Sequence, residues 1–152
     1  MDLSSIDRSI LRILQSDGRI TYSDLAKQVG LSTSPCIERV RKLERLGYIE
    51  HYAARLNADK LGAGLVVFVM IRMDRSSKSN FDQFRRSASL LPQVQECYLT
   101  TGNFDYLIKA RVRDMSSYRN LLEESLLSIE GVQESTSIVA MDAVKESLTL
   151  NI

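Results

Sequence analysis

Ile6, Ile10, Ile13 and Leu14 recur at helical spacing near the start of the chain and predict a first amphipathic helix ending at Asp17-Gly18. Thr21 then precedes a shorter helix that buries Leu25, Ala26 and Val29, and Gly30 suits a left-handed stop. A third helix is predicted from Ser32, which stands where a hydroxyl caps free amides. Pro35 falls in its first turn, where a missing N–H is tolerated. Cys36, Val40, Leu43 and Gly47 stack on one side of this helix. Ser34, Glu38, Arg41 and Arg45 occupy the other, with Lys42 beside them.

After Gly47 the periodicity changes. Tyr48, Ile49, Tyr52 and Leu56 among polar residues predict a short strand or hairpin, and Asn57-Ala58-Asp59 predicts a turn. Beyond this boundary the pattern predicts a strand over 65–73, a helix over 79–91 stopped by Pro92, and a strand over 94–100. A tight Gly102-Asn103 turn, a strand over 106–112, a helix over 116–129 and a last strand over 135–141 follow. The order β-α-β-β-α-β describes an antiparallel sheet with both helices on one face, the ferredoxin-like plan. Leu65 to Ile71 is apolar at every position, so the face away from the helices also needs cover. At about 25 cal/mol per Å² of apolar area, a wet face would cost several kcal/mol, which favours a second sheet from another subunit. The expected class is therefore α+β, with a helix-turn-helix domain over 1–50, a hinge over 51–64 and a ferredoxin-like domain over 65–152.

Charge sharpens this picture locally. The net charge is only +1, yet Arg39, Arg41, Lys42 and Arg45 fall within seven positions of the third helix. A helix fits the major groove of duplex DNA, and hydroxyl and guanidinium groups on its exposed face can bond phosphates and base edges. The competing reading of the same residues is a solvated face with intrahelical pairs from Glu38 and Glu44.

Other chemistry finds little material. Cys36 and Cys97 lie far apart without nearby histidines, so neither a zinc site nor a redox pair is expected, and His51 is the sole histidine. No P-loop, dinucleotide fingerprint or metal-ligand cluster appears, so neither an enzyme nor a cofactor is expected. The longest apolar run, 61–71, is too short to span a bilayer, so a cytoplasmic chain without membrane partners is expected.

Several segments together resemble the leucine-responsive regulatory protein/AsnC family of transcription regulators. They are Ile6-Asp7-Arg8, Asp17-Gly18-Arg19, Leu31-Ser32, Ser34-Pro35-Cys36, the run Glu38 to Glu44, Gly47-Tyr48-Ile49 and Gln95-Glu96-Cys97. Gly102-Asn103-Phe104-Asp105-Tyr106-Leu107, Asp114-Met115-Ser116 with Tyr118, and Gly131-Val132 complete the set. The resemblance covers nearly the whole chain in order. It implies a winged-helix-type DNA-binding domain, a hinge strand, and a ferredoxin-like effector domain. It further implies dimers that assemble to octamers or higher, nucleoid association, and a small effector bound between dimers, leucine or another apolar amino acid. Carried over by position, Ser32, Thr33, Ser34, Glu38, Arg39, Arg41, Lys42 and Arg45 are the implied contacts to double-stranded DNA. Thr101, Gly102, Asn103, Asp105 and Thr136 are the implied effector contacts, although Gly102-Asn103 also reads as a plain hairpin turn. The alternative to an effector-controlled regulator is a DNA-organising oligomer with little sequence preference.

Overall fold

The computed structural model describes residues 3–74 and 78–152. They form two compact units, one of Met1–Arg55 with Lys145–Ile152 and one of Leu56–Val144.

The first unit holds α1 (Ser5–Ser16), α2 (Tyr22–Val29) and α3 (Thr33–Arg45). α1 opens with a capping box: the Ser4 hydroxyl accepts from the Asp7 N–H at 3.1 Å, and the Asp7 carboxylate accepts from the Ser4 N–H at 3.3 Å. Thr21 caps α2 by accepting from the Asp24 N–H, and Gly30 ends it at φ 69°. Ile10, Leu11, Leu25, Ala26, Cys36, Val40 and Leu43 form the core between the three helices. The cap expected at α3 is absent. Ser32 has the extended backbone of an N-cap, but its side chain makes no cap bond. The cause lies three residues on: Pro35 stands at the third helical position and has no N–H to offer the hydroxyl.

Residues 49–57 do not form the predicted strand or hairpin. A strand needs a neighbour to complete its hydrogen-bond ladder, and none of the described residues supplies one. Tyr52 instead donates its hydroxyl to the Glu44 carboxylate at 3.0 Å. Residues 145–152, expected in the C-terminal domain, pack with the first unit. The Gln15 amide bonds Leu150 in both directions, accepting from its N–H at 2.6 Å and donating to its carbonyl at 3.2 Å. Arg12 Nε donates to the Ile152 carbonyl at 2.8 Å, and Ile152 packs against the helical core.

The second unit is a four-stranded antiparallel sheet in the order β2-β3-β1-β4, made of β1 (Leu65–Met73), β2 (Val94–Leu99), β3 (Tyr106–Val112) and β4 (Val132–Val139). Val67, Val69, Ile71 and Met73 alternate on β1 with Tyr106, Ile108, Ala110 and Val112 on β3 to face α4 (Lys78–Ser89) and α5 (Met115–Asn120). Phe84 stacks on Tyr106 with ring centroids 4.5 Å apart. The single helix predicted over 116–129 is α5 followed by a π-helix, Leu121–Leu126. Leu121 and Leu126 are both buried, and positions five apart lie nearly in line only when the helix is widened in this way. β4 starts at Val132 rather than at Ser135 and ends at Val139. The strand residues of opposite parity, Phe68 and Met70 of β1, Tyr98 of β2, Leu107 of β3 and Ile138 of β4, lie on the other face. Tyr98 is 54% exposed and Ile138 51%.

Candidate nucleic-acid interface and ligand cleft

α3 separates its residues by face. Cys36, Val40 and Leu43 are buried, whereas Ser32, Thr33, Ser34, Glu38, Arg41, Lys42 and Arg45 are exposed. The structure thus brings seven of the eight predicted DNA-facing residues to one open surface. The amides of Thr33 and Ser34 at the start of the helix, uncapped by the Ser32 side chain, suit an anionic oxygen.

Arg39 stands apart from that surface. It is half-buried, and its Nη1 donates to the Asp7 carboxylate at 2.8 Å, with the Asp7 side chain only 17% exposed. Burial raises the pKa of this carboxyl. Hydrogen bonds from Ser4 and Arg39, with the Arg39 charge, outweigh that effect and hold it below the usual carboxylate value. Arg39 therefore ties α3 to the first turn of α1 across 32 positions of sequence.

In the second unit the loop between β2 and β3 is held by Asp105, a buried carboxylate. Its Oδ2 accepts the Met73 N–H at 2.8 Å, its own N–H donates to the Ile71 carbonyl at 2.8 Å, and its carbonyl accepts the Thr100 N–H at 2.8 Å. These bonds stitch the loop to the end of β1. There the ladder is interrupted: Arg72 pairs with Glu134 and Met73 with Val132, so Gln133 is an extra residue, a β-bulge.

Beside the bulge lies an open cleft of about 390 Å³ lined by Arg72, Met73, Gly102, Asn103 and Gln133. Gly102 has φ 112°, and a Cβ built on it would meet no heavy atom within 4 Å, so its backbone is open to close approach. Of the five residues predicted for a ligand, Gly102 and Asn103 line this cleft, whereas Thr101 and Thr136 are exposed outside its lining. Asp105 is buried and lies outside that lining, with its Oδ2 on the Met73 N–H. Arg72 and Gln133 were missed. A lone charge closing an apolar strand was a usable signal for Arg72, but the bulge that presents Gln133 leaves no mark in the periodicity.

Cys36 and Cys97 are free thiols, and no group of three or more potential metal ligands occurs among the described residues. No helix among them is long and apolar enough to cross a membrane.

A helix-turn-helix with an exposed basic third helix, joined to a ferredoxin-like unit with a small-molecule cleft, defines a ligand-binding DNA-associated regulator, and comparison with known proteins agrees. Residues 3–50 match the profile of winged helix-turn-helix DNA-binding domains, and residues 66–150 match the Lrp/AsnC ligand binding domain. The leucine-responsive regulatory proteins of Escherichia coli K12 and Salmonella typhimurium are 51% identical over 146 residues, covering 96% of this chain and 89% of theirs. A Neisseria meningitidis transcriptional regulator, solved as its L-Met complex, superposes with a TM-score of 0.95 at 34% identity, over 99% of this chain and 97% of that one. An AsnC family regulator from Agrobacterium tumefaciens gives 0.94 at 35%, over 98% and 97%. The chain belongs to the Lrp/AsnC family of transcription regulators, and binds DNA through its helix-turn-helix.

Proposed function

We propose that this protein is an amino-acid-responsive regulator whose α3 enters the major groove of its operator. The observation that carries the reading is the division of α3 into a buried apolar face and an open face bearing Arg41, Lys42 and Arg45. Arg41, Lys42 and Arg45 supply charge to phosphates and guanidinium forks to guanine edges, and Ser32, Thr33 and Ser34 with their amides hold a phosphate at the helix start. Glu38 suits a cytosine amino group. Arg39 acts from behind, as a positioning residue.

The effector is an amino acid held in the cleft at Gly102 and Asn103, in keeping with the L-Met complex of the Neisseria relative. The exposed apolar face of the sheet supports a homodimer that sets two copies of α3 in register on the operator, and higher assembly through further surfaces.

The test is a salt-titrated anisotropy measurement on DNA from upstream of the protein's own gene and on scrambled DNA, with and without L-leucine or L-methionine. Specific binding that an amino acid shifts, weakened by Arg41→Ala with the dimer intact, is the expected result. Equal affinity for both DNAs at near-physiological salt would leave a non-specific DNA organiser in its place.

A further inference from the structure

Resting on the reading of the cleft as an amino-acid site, we propose that Arg72 is the residue that takes the α-carboxylate of a free amino acid, with Glu134 beside it taking the α-ammonium. Among the described residues of the lining, Arg72 is the one that carries a charge. It closes a strand that is otherwise apolar from Leu65 to Ile71, so sheet packing gives no reason for a charge there. Its guanidinium is already oriented: Nε donates to the Asn103 carbonyl at 3.2 Å and Nη1 to the Glu134 carboxylate at 3.1 Å. These contacts use two of the five donors of a planar fork whose geometry matches a carboxylate.

The surroundings suit a zwitterion. Arg72 and Glu134 are direct cross-strand partners, with side chains 49% and 59% exposed, so the pair sits at the cleft mouth in reach of solvent and ligand. An exposed pair of this kind adds little to stability. Opposite charges on neighbouring strands instead offer both ends of an amino acid a partner at once. The bulge sets the Gln133 amide in the lining, where it can donate to the carboxylate or accept from the ammonium, and Gly102 leaves its backbone side open for the ligand to approach.

Calorimetry on the full chain tests this with L-methionine, L-leucine and their amino alcohols, L-methioninol and L-leucinol, which keep the ammonium and the side chain but lack the carboxylate. The unmodified protein is expected to bind one of the amino acids roughly 10-fold or more tightly than its amino alcohol, the usual size of a charge-assisted contact. Arg72→Ala removes that advantage and leaves amino-alcohol binding unchanged, and Arg72→Lys, which keeps the charge without the fork, recovers part of it. A thermal melt like that of the parent shows that each variant is folded. Equal affinity of parent and Arg72→Ala for the amino acid, or an equal loss for acid and alcohol, overturns the assignment of Arg72 alone. No binding of any of the four compounds to the parent overturns the amino-acid reading of the cleft and this proposal with it.

Discussion

Asp7→Ala tests how the DNA-reading helix is held, because simple electrostatics and the structure predict opposite results. Asp7 closes the capping box of α1 and accepts the guanidinium of Arg39. Losing the reciprocal half of a capping box costs about 0.5–1 kcal/mol. The ion pair adds about 0.5–1 kcal/mol, kept small because the Arg39 side chain is 38% exposed and solvent screens it. Urea denaturation of the full chain at pH 7 should therefore show a loss of about 1–2 kcal/mol, and a double-mutant cycle with Arg39→Ala should recover the pair energy as coupling. The folded pKa of Asp7 lies below its ordinary value, so this stability is fully present above pH 3.8 and is lost as the pH falls through the folded value. The gap between Asp7→Ala and its parent should close in acid. For DNA, removing a negative charge would by itself strengthen binding. If Arg39 positions α3, binding weakens instead, because the strut between α1 and α3 is gone. Tighter DNA binding by Asp7→Ala, with stability unchanged, would refute the strut and make Arg39 a direct DNA contact.

Thr21→Ala should cost about 1 kcal/mol in chemical denaturation through its lost cap bond, whereas Ser32→Ala, which breaks none, should leave stability within about 0.5 kcal/mol while lowering DNA affinity. Gly131 has φ 88°, and a Cβ there would stand 2.6 Å from Asn80 Cβ, so Gly131→Ala should cost about 2 kcal/mol or more and lower the melting temperature of the full chain; an unchanged melt would mean that α4 gives way freely. Phe68→Asp with Ile138→Asp places like charges on the open sheet face and should shift sedimentation from dimer to monomer; a dimer that survives both changes would move the interface elsewhere.

Much of this protein was legible in its sequence because its elements are written in local periodicity. The helical spacing of Ile10, Leu25 and Val40, the left-handed Gly30, and the βαββαβ order depend on neighbours a few residues apart, and short-range sterics and burial enforce them. The open face of α3 followed from the same arithmetic, since a helix that buries Cys36, Val40 and Leu43 must turn Arg41 and Arg45 outward. Tertiary structure alone decided the partners. Arg39 looked like its basic neighbours until Asp7 met it 32 positions away. That the buried Asp105 carboxylate meets the backbone of Met73 could not be read locally, and residues 145–152 looked like an appendage of the sheet until Gln15 and Arg12 received them. Local pattern fixes which way a side chain faces, because that is a property of one element. Which group it meets depends on where a second element comes to rest, and the cleft with Arg72 and Gln133 exists only once a bulge, a loop and a strand end converge.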